Sequence, residues 1–143
     1  MVVRSMTRIV RPSDYSSSPS SSTTRAATKK ADPASARELA RVKVVIDSAR
    51  RALYFSRATI PCDRDVAGSR YFKHLGFYAY RKAALDRFVA LPESSLERSE
   101  RLEQLRFLDN GVDIYVTETP HDTVGVDTEE DLRRVEGILL GRM

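Results

Sequence analysis

The stretch "RVKVVIDSARRALYFSR", residues 41–57, decides the fold. It holds two short runs rich in Val, Ile, Tyr and Phe, parted by the polar "SAR" at 48–50. β-branched and aromatic residues broken by a short polar segment predict a β-hairpin over about residues 42–56. Working outward, "RYFKHLGFYAYR" (70–81) reads as a third, aromatic-rich strand. In "KAALDRFVAL" (82–91), Ala84, Leu85, Phe88 and Leu91 recur at helical spacing. Pro92 stops that helix, and Ser94 or Ser95 caps the next, "SLERSERLEQLRFLDNG" (95–111), whose stripe is Leu96, Leu102, Leu105 and Leu108 and whose end is marked by Asn110-Gly111. "VDIYVTET" (112–119) alternates as a strand, and "TEEDLRRVEGILLGRM" (128–143) is amphipathic, with Leu132, Val135, Ile138 and Leu139 on one face. The order of hairpin, strand, two helices, strand and helix, without internal repeat, predicts an α/β fold.

Upstream the pattern changes. Residues 1–36 include "SSSPSSSTT" and carry no sustained apolar period, so they are expected to be a disordered, basic, Ser-rich tail ahead of a folded part over 37–143. The net charge of +4 is unevenly divided: residues 1–41 carry +5 and the remainder −1. A nearly neutral folded part argues against nucleic-acid binding, which needs cations clustered on a formed surface. No apolar run approaches the roughly 18 residues that cross a bilayer, so no membrane partner is expected. The single cysteine, Cys62, excludes an internal disulfide framework and a cysteine-rich zinc site, and points to a reducing compartment. The expected location is the cytoplasm; an Arg- and Ser-rich, acid-poor leader also matches an organellar transit peptide.

Several side chains carry more than one reading. Arg57 offers a planar fork for a carboxylate or hydroxyls, or makes a surface salt bridge. His74 and Tyr78 are an even number apart on a strand, hence on one face, where they form a polyol contact or an aromatic core with a satisfied histidine. Glu103 and Gln104 fall inside the 95–111 helix; adjacent positions there point about 100° apart, so only a close ligand would touch both, and a solvated face is the simpler reading. Asp127 precedes Glu129, Glu130 and Asp131. It, or Thr128, is an N-cap, or Asp127 is a carboxylate placed to hold a hard cation beside phosphate.

Four segments, "VKVVIDSARRALYFSRATIPCDRD" (42–65), "YFKHLGFYAYR" (71–81), "LPESSLERSERLEQLRFLDNG" (91–111) and "VGVDTEEDLRRV" (124–135), together resemble the C-terminal half of the 3-deoxy-manno-octulosonate (KDO) cytidylyltransferases. The resemblance implies the C-terminal half of a Rossmann-like nucleotide-diphospho-sugar transferase fold, with residues 37–143 as its sugar-binding and dimerisation part. It implies transfer of CMP from CTP to KDO with release of pyrophosphate, for lipopolysaccharide synthesis, with Mg²⁺ as cofactor and a homodimer as assembly. Arg57, His74, Tyr78, Glu103 and Gln104 would then bind the sugar, and Asp127 the metal. The departures are specific. The first glycine is Gly68, so no glycine-bearing phosphate loop precedes the hairpin, and no "GDEP"-like turn supplies a second carboxylate. Cys62 replaces an aromatic residue, and "DSARR" lacks a turn glycine. The CTP-binding half is therefore expected to be missing, the chain to be inactive alone, and the sheet to leave an open strand edge and an uncovered apolar face. The alternatives are a non-catalytic remnant keeping the dimer surface and part of the sugar site, or an unrelated module acting through its basic tail.

Overall fold

The computed structural model describes residues 24–65, 68–122, 126 and 129–141. The elements are β1 (Thr24–Ala31), α1 (Pro33–Ala36), β2 (Lys43–Ile46), β3 (Ala52–Ser56), β4 (Tyr71–Tyr80), α2 (Lys82–Ala90), α3 (Ser95–Glu100), α4 (Leu105–Asp109), β5 (Ile114–Glu118) and α5 (Glu129–Leu139). The strands form one sheet in the order β3-β2-β4-β1-β5, with β1 parallel to β5 and the other neighbours antiparallel. One face of the sheet presents Ala26, Val44, Phe55, Ile114 and Val116 to Leu102, Leu105 and Phe107 from the α3–α4 region. Phe55 and Phe107 are enclosed almost completely, each worth about 2–3 kcal/mol of apolar burial.

The tail expected over residues 1–36 is corrected for its second part: residues 24–36 form β1 and α1, with β1 between β4 and β5. Hydropathy could not reveal it. Its inward residues, Thr24, Ala26 and Thr28, are small, and Arg25 and Lys29 lie between and beyond them. Two strand neighbours supply what side-chain hydrophobicity does not, because each backbone polar group finds a ladder partner. The first part of that tail, residues 1–23, lies outside the described residues.

The hairpin forms as read, with Val44 opposite Phe55 and Val45 opposite Tyr54. Its turn does without glycine: Arg50 takes φ 63°, while the Asp47 carboxylate accepts from both the Arg51 amide and Arg51 Nε at 2.8 Å. The two outer strands then meet. Arg51 bridges Tyr115, and the Val116 amide donates to the Arg50 carbonyl at 2.8 Å. The expected open edge is thus partly closed by the sheet curling on itself. Several large apolar side chains are exposed, among them Leu53 on β3, Val89 on α2 and Leu139 on α5.

The single helix expected over 95–111 is two. Ser94 starts α3 with a capping box: Ser94 Oγ accepts from the Glu97 amide, and the Glu97 carboxylate accepts from the Ser94 amide. Arg101 then turns left-handed at φ 55° and ends α3, which lets Leu102 and Leu105 both reach the core. Glu97 also receives Arg106 Nε at 2.8 Å and Nη2 at 2.6 Å, so one carboxylate caps α3 and ties α4 to it.

Candidate sugar-binding face

Arg57 follows β3 and meets the C-terminal end of α3. Its amide donates to Glu100 Oε2 at 2.9 Å, and its Nε to the Glu100 carbonyl at 3.1 Å. Ser56 Oγ donates to the other Glu100 oxygen. No carboxylate lies within ion-pair distance of the guanidinium among the described residues, so its outer nitrogens are unspent. The surface salt bridge considered from sequence is not what is found.

His74 and Tyr78 share a face, for a reason that even spacing does not capture. On a regular strand, residues four apart are about 13 Å from one another, yet the two ring centroids lie 5.1 Å apart. The pairing of β1 with β4 shifts between Ala26 and Thr28, placing Leu75, Gly76 and Phe77 opposite Ala27 alone. Gly76 accommodates the buckle at φ 72°, a conformation unfavourable for other residues. The result is an aromatic row: Phe55 meets His74 at 5.2 Å, Tyr78 stacks on Tyr80 at 5.6 Å, and Tyr80 approaches Phe107 at 6.1 Å.

Within the row, His74 Nδ1 and the Tyr78 hydroxyl are shut off from solvent and have no hydrogen-bond partner among the described residues. Burial pushes the His74 pKa down to about 4, with a hydrogen bond to the Ala27 backbone acting weakly the other way, and burial pushes the Tyr78 phenol up. Two orphaned polar atoms side by side in an apolar enclosure are costly unless something pairs with them.

Glu103 and Gln104 do not sit inside a helix. They lie in the turn between α3 and α4, with Gln104 buried as the first cap residue of α4 and Glu103 exposed. Glu103 is near enough to raise the pKa of both Tyr78 and Tyr80 electrostatically. Segment 100–104 therefore holds Arg57 through Glu100 at one end and acts electrostatically on the tyrosines through Glu103 near the other. Asp127 lies outside the described residues. Among the described residues no group of three or more His, Cys, Asp or Glu side chains is placed to hold a metal ion.

Three contributors escaped the sequence reading. Lys43 is only 1% exposed, and its ammonium donates to the carbonyls of Glu38, Arg41 and Arg57; a lysine in a hairpin strand reads as solvent-facing. Glu100 and Ser56 organise the backbone around Arg57, and nothing in a linear motif marks them. Elsewhere, a cleft of about 330 Å³ is lined by Arg37, Thr59, Cys62, Asp63 and Tyr71 among others, and it contains none of the expected site residues.

A family profile described as "Cytidylyltransferase" matches residues 7–114, more than half of the chain. This chain belongs to the cytidylyltransferase family. The match begins well before Val42 and takes in β1, whose polar composition is that of a tail. Among curated relatives, the 3-deoxy-manno-octulosonate cytidylyltransferase of Koribacter versatilis is 74% identical over 102 residues, covering 71% of this chain and 39% of the relative. That of Acidobacterium capsulatum is 69% identical over 102 residues, covering 71% and 42%. A solved structure of CMP:2-keto-3-deoxy-manno-octonic acid synthetase complexed with CTP superposes with a TM-score of 0.79 at 38% identity, over 84% of this chain and 50% of that one. The chain spans about two fifths of the length of these curated relatives and half of the solved one.

Proposed function

We propose that this chain carries the sugar-side half of a 3-deoxy-manno-octulosonate cytidylyltransferase. In that reaction the anomeric hydroxyl of KDO attacks the α-phosphorus of CTP; the new P–O bond forms as the bond to the β-phosphate oxygen breaks, the hydroxyl proton is lost, and pyrophosphate leaves. The protein's task is positioning and charge neutralisation. The observation that carries the reading is the Arg57 guanidinium, fixed through Nε on the Glu100 carbonyl with no carboxylate partner among the described residues, in the same chain as the orphaned His74 and Tyr78 atoms of the aromatic row. A planar fork suits the carboxylate of an acidic sugar. An imidazole and a phenol suit its hydroxyls, once the aromatic row opens to admit them.

Asp127 is proposed as a Mg²⁺ carboxylate near the phosphates; Mg²⁺ characteristically takes one or two protein carboxylates and keeps waters. A homodimer in the cytoplasm is the proposed setting, and exposed Leu53 and Val89 are consistent with a covered surface. The test is calorimetric titration of the purified chain with KDO, beside Arg57→Gln, followed by pyrophosphate release with CTP, KDO and Mg²⁺ beside Asp127→Ala. Saturable KDO binding, weakened about tenfold or more by Arg57→Gln, is expected. Absence of KDO binding by the folded chain refutes the reading. Turnover that Asp127→Ala abolishes would extend it from sugar binding to complete catalysis.

A further inference from the structure

Arg57 is held from three directions. Its amide reaches the Glu100 carboxylate, its Nε reaches the Glu100 carbonyl, and its own carbonyl accepts from Lys43 Nζ at 2.5 Å. Lys43 spends its other donors on Glu38 O at 2.9 Å and Arg41 O at 2.5 Å, so its three N–H groups are each used on main chain. The Glu100 carboxylate is likewise committed, to the Arg57 amide and to Ser56 Oγ, which in turn accepts from the Ala58 amide at 2.9 Å. Neither residue is left with a free group aimed at a ligand.

The distribution of charge is informative. A carboxylate facing the guanidinium would consume the Arg57 charge in an internal ion pair. Here the carboxylate takes a backbone amide and a hydroxyl, and only a neutral carbonyl takes Nε. The Lys43 ammonium also lies close enough that the Arg57 charge helps to depress its pKa, after the larger effect of burial. The arrangement fixes the guanidinium plane while leaving its charge and outer edge available to an anion.

We propose that Glu100 and Lys43 are positioning residues that clamp Arg57 in the orientation that receives a ligand carboxylate. The inference rests on the sugar-site reading above and names the residues that make that arginine selective for an acid. A flexible arginine would still attract anions, whereas a clamped one pre-organises a two-point contact and discriminates by geometry.

The experiment compares KDO with its methyl ester, which keeps every hydroxyl and loses the charge, by titration calorimetry on the full chain. Wild type is expected to prefer the free acid by about tenfold or more, and Arg57→Gln to lose that preference. Glu100→Ala should lose most of it while ester affinity stays near wild type, which a merely structural role would not produce. Glu100→Gln, which retains an acceptor for the Arg57 amide, should restore most of it. If Glu100→Ala unfolds, the Glu100→Gln and Lys43→Met chains are compared instead through the Arg57 Nε–H resonance. That proton exchanges slowly with solvent in wild type and in Glu100→Gln, and faster when Lys43 releases the Arg57 carbonyl. Wild-type acid preference retained in Glu100→Ala, or an Nε–H rate unchanged in Lys43→Met, overturns the clamp alone. A wild-type chain that binds neither compound overturns the sugar site and the clamp with it.

Discussion

Mild acid should destabilise this chain, and His74 should be the reason. Burial holds its folded pKa near 4, against 6.5 for the free side chain. Between those values the unfolded chain binds the proton and the folded chain does not. The stabilisation is therefore complete above pH 6.5 and is lost as pH falls toward 4. Over the whole interval the loss approaches about 3 kcal/mol, and between pH 7 and pH 5 it is about 2 kcal/mol. Asp32, Asp47 and Glu97 have pKa values lowered by hydrogen bonds from 3.8, 3.8 and 4.5, so their contribution falls away only at lower pH. The assay is urea unfolding at pH 7, 6 and 5 for wild type and His74→Phe, the difference isolating one imidazole. Proton NMR gives an independent reading, since the only other histidine is the exposed His121. A wild-type-minus-variant difference that stays flat from pH 7 to 5, or a His74 midpoint near 6.5, would refute the assignment of a buried neutral ring.

Two further outcomes concern the frame. Glu97→Ala removes half a capping box and leaves the largely buried Arg106 guanidinium without its bidentate partner; urea unfolding should show a loss of about 3 kcal/mol, and a loss under 1 kcal/mol would mean that α3 and α4 are held together by packing alone. Gly76→Ala meets no heavy atom within 4 Å, so its cost comes from the positive φ and should be about 1–2 kcal/mol; a variant as stable as wild type would show that the strand regains regular pairing without the buckle.

Most of the fold was legible where side chains announce their neighbours. The β2–β3 hairpin, β4, α2 and β5 follow from Val44, Phe55, Ala84 and Ile114 occupying the periodic positions that a packed sheet and its covering helices require. What hid was structure made by backbone pairing or by capping. β1 has Thr and Ala where a strand detector looks for Val and Ile. The break at Arg101 interrupts a leucine stripe that continues unbroken in sequence. The candidate site shows the same division. Arg57, His74 and Tyr78 were visible as chemistry in suggestive places, but the 5.1 Å approach of the two rings depends on the bulge at Gly76. The Lys43 and Glu100 contacts with Arg57 join residues 14 and 43 positions away. Pairings of that span leave no periodic trace.

The placement of β1 sets an order of events for a chain growing from its N-terminus. Thr24–Ala31 is the earliest described strand, yet its partners are Tyr71–Tyr80 and Ile114–Glu118, so it must wait for some 50 residues before its first neighbour exists and about 90 before its second. Until then neither of its described partners exists, and its low hydrophobicity becomes an asset: a strand of Thr, Ala, Arg and Lys can linger unpaired with little tendency to aggregate. The hairpin 43–56 can close at once, β4 can add to it, and β1 then bridges that early unit to the late-arriving β5. The small side chains that concealed this strand also suit it to arrive first and be seated last.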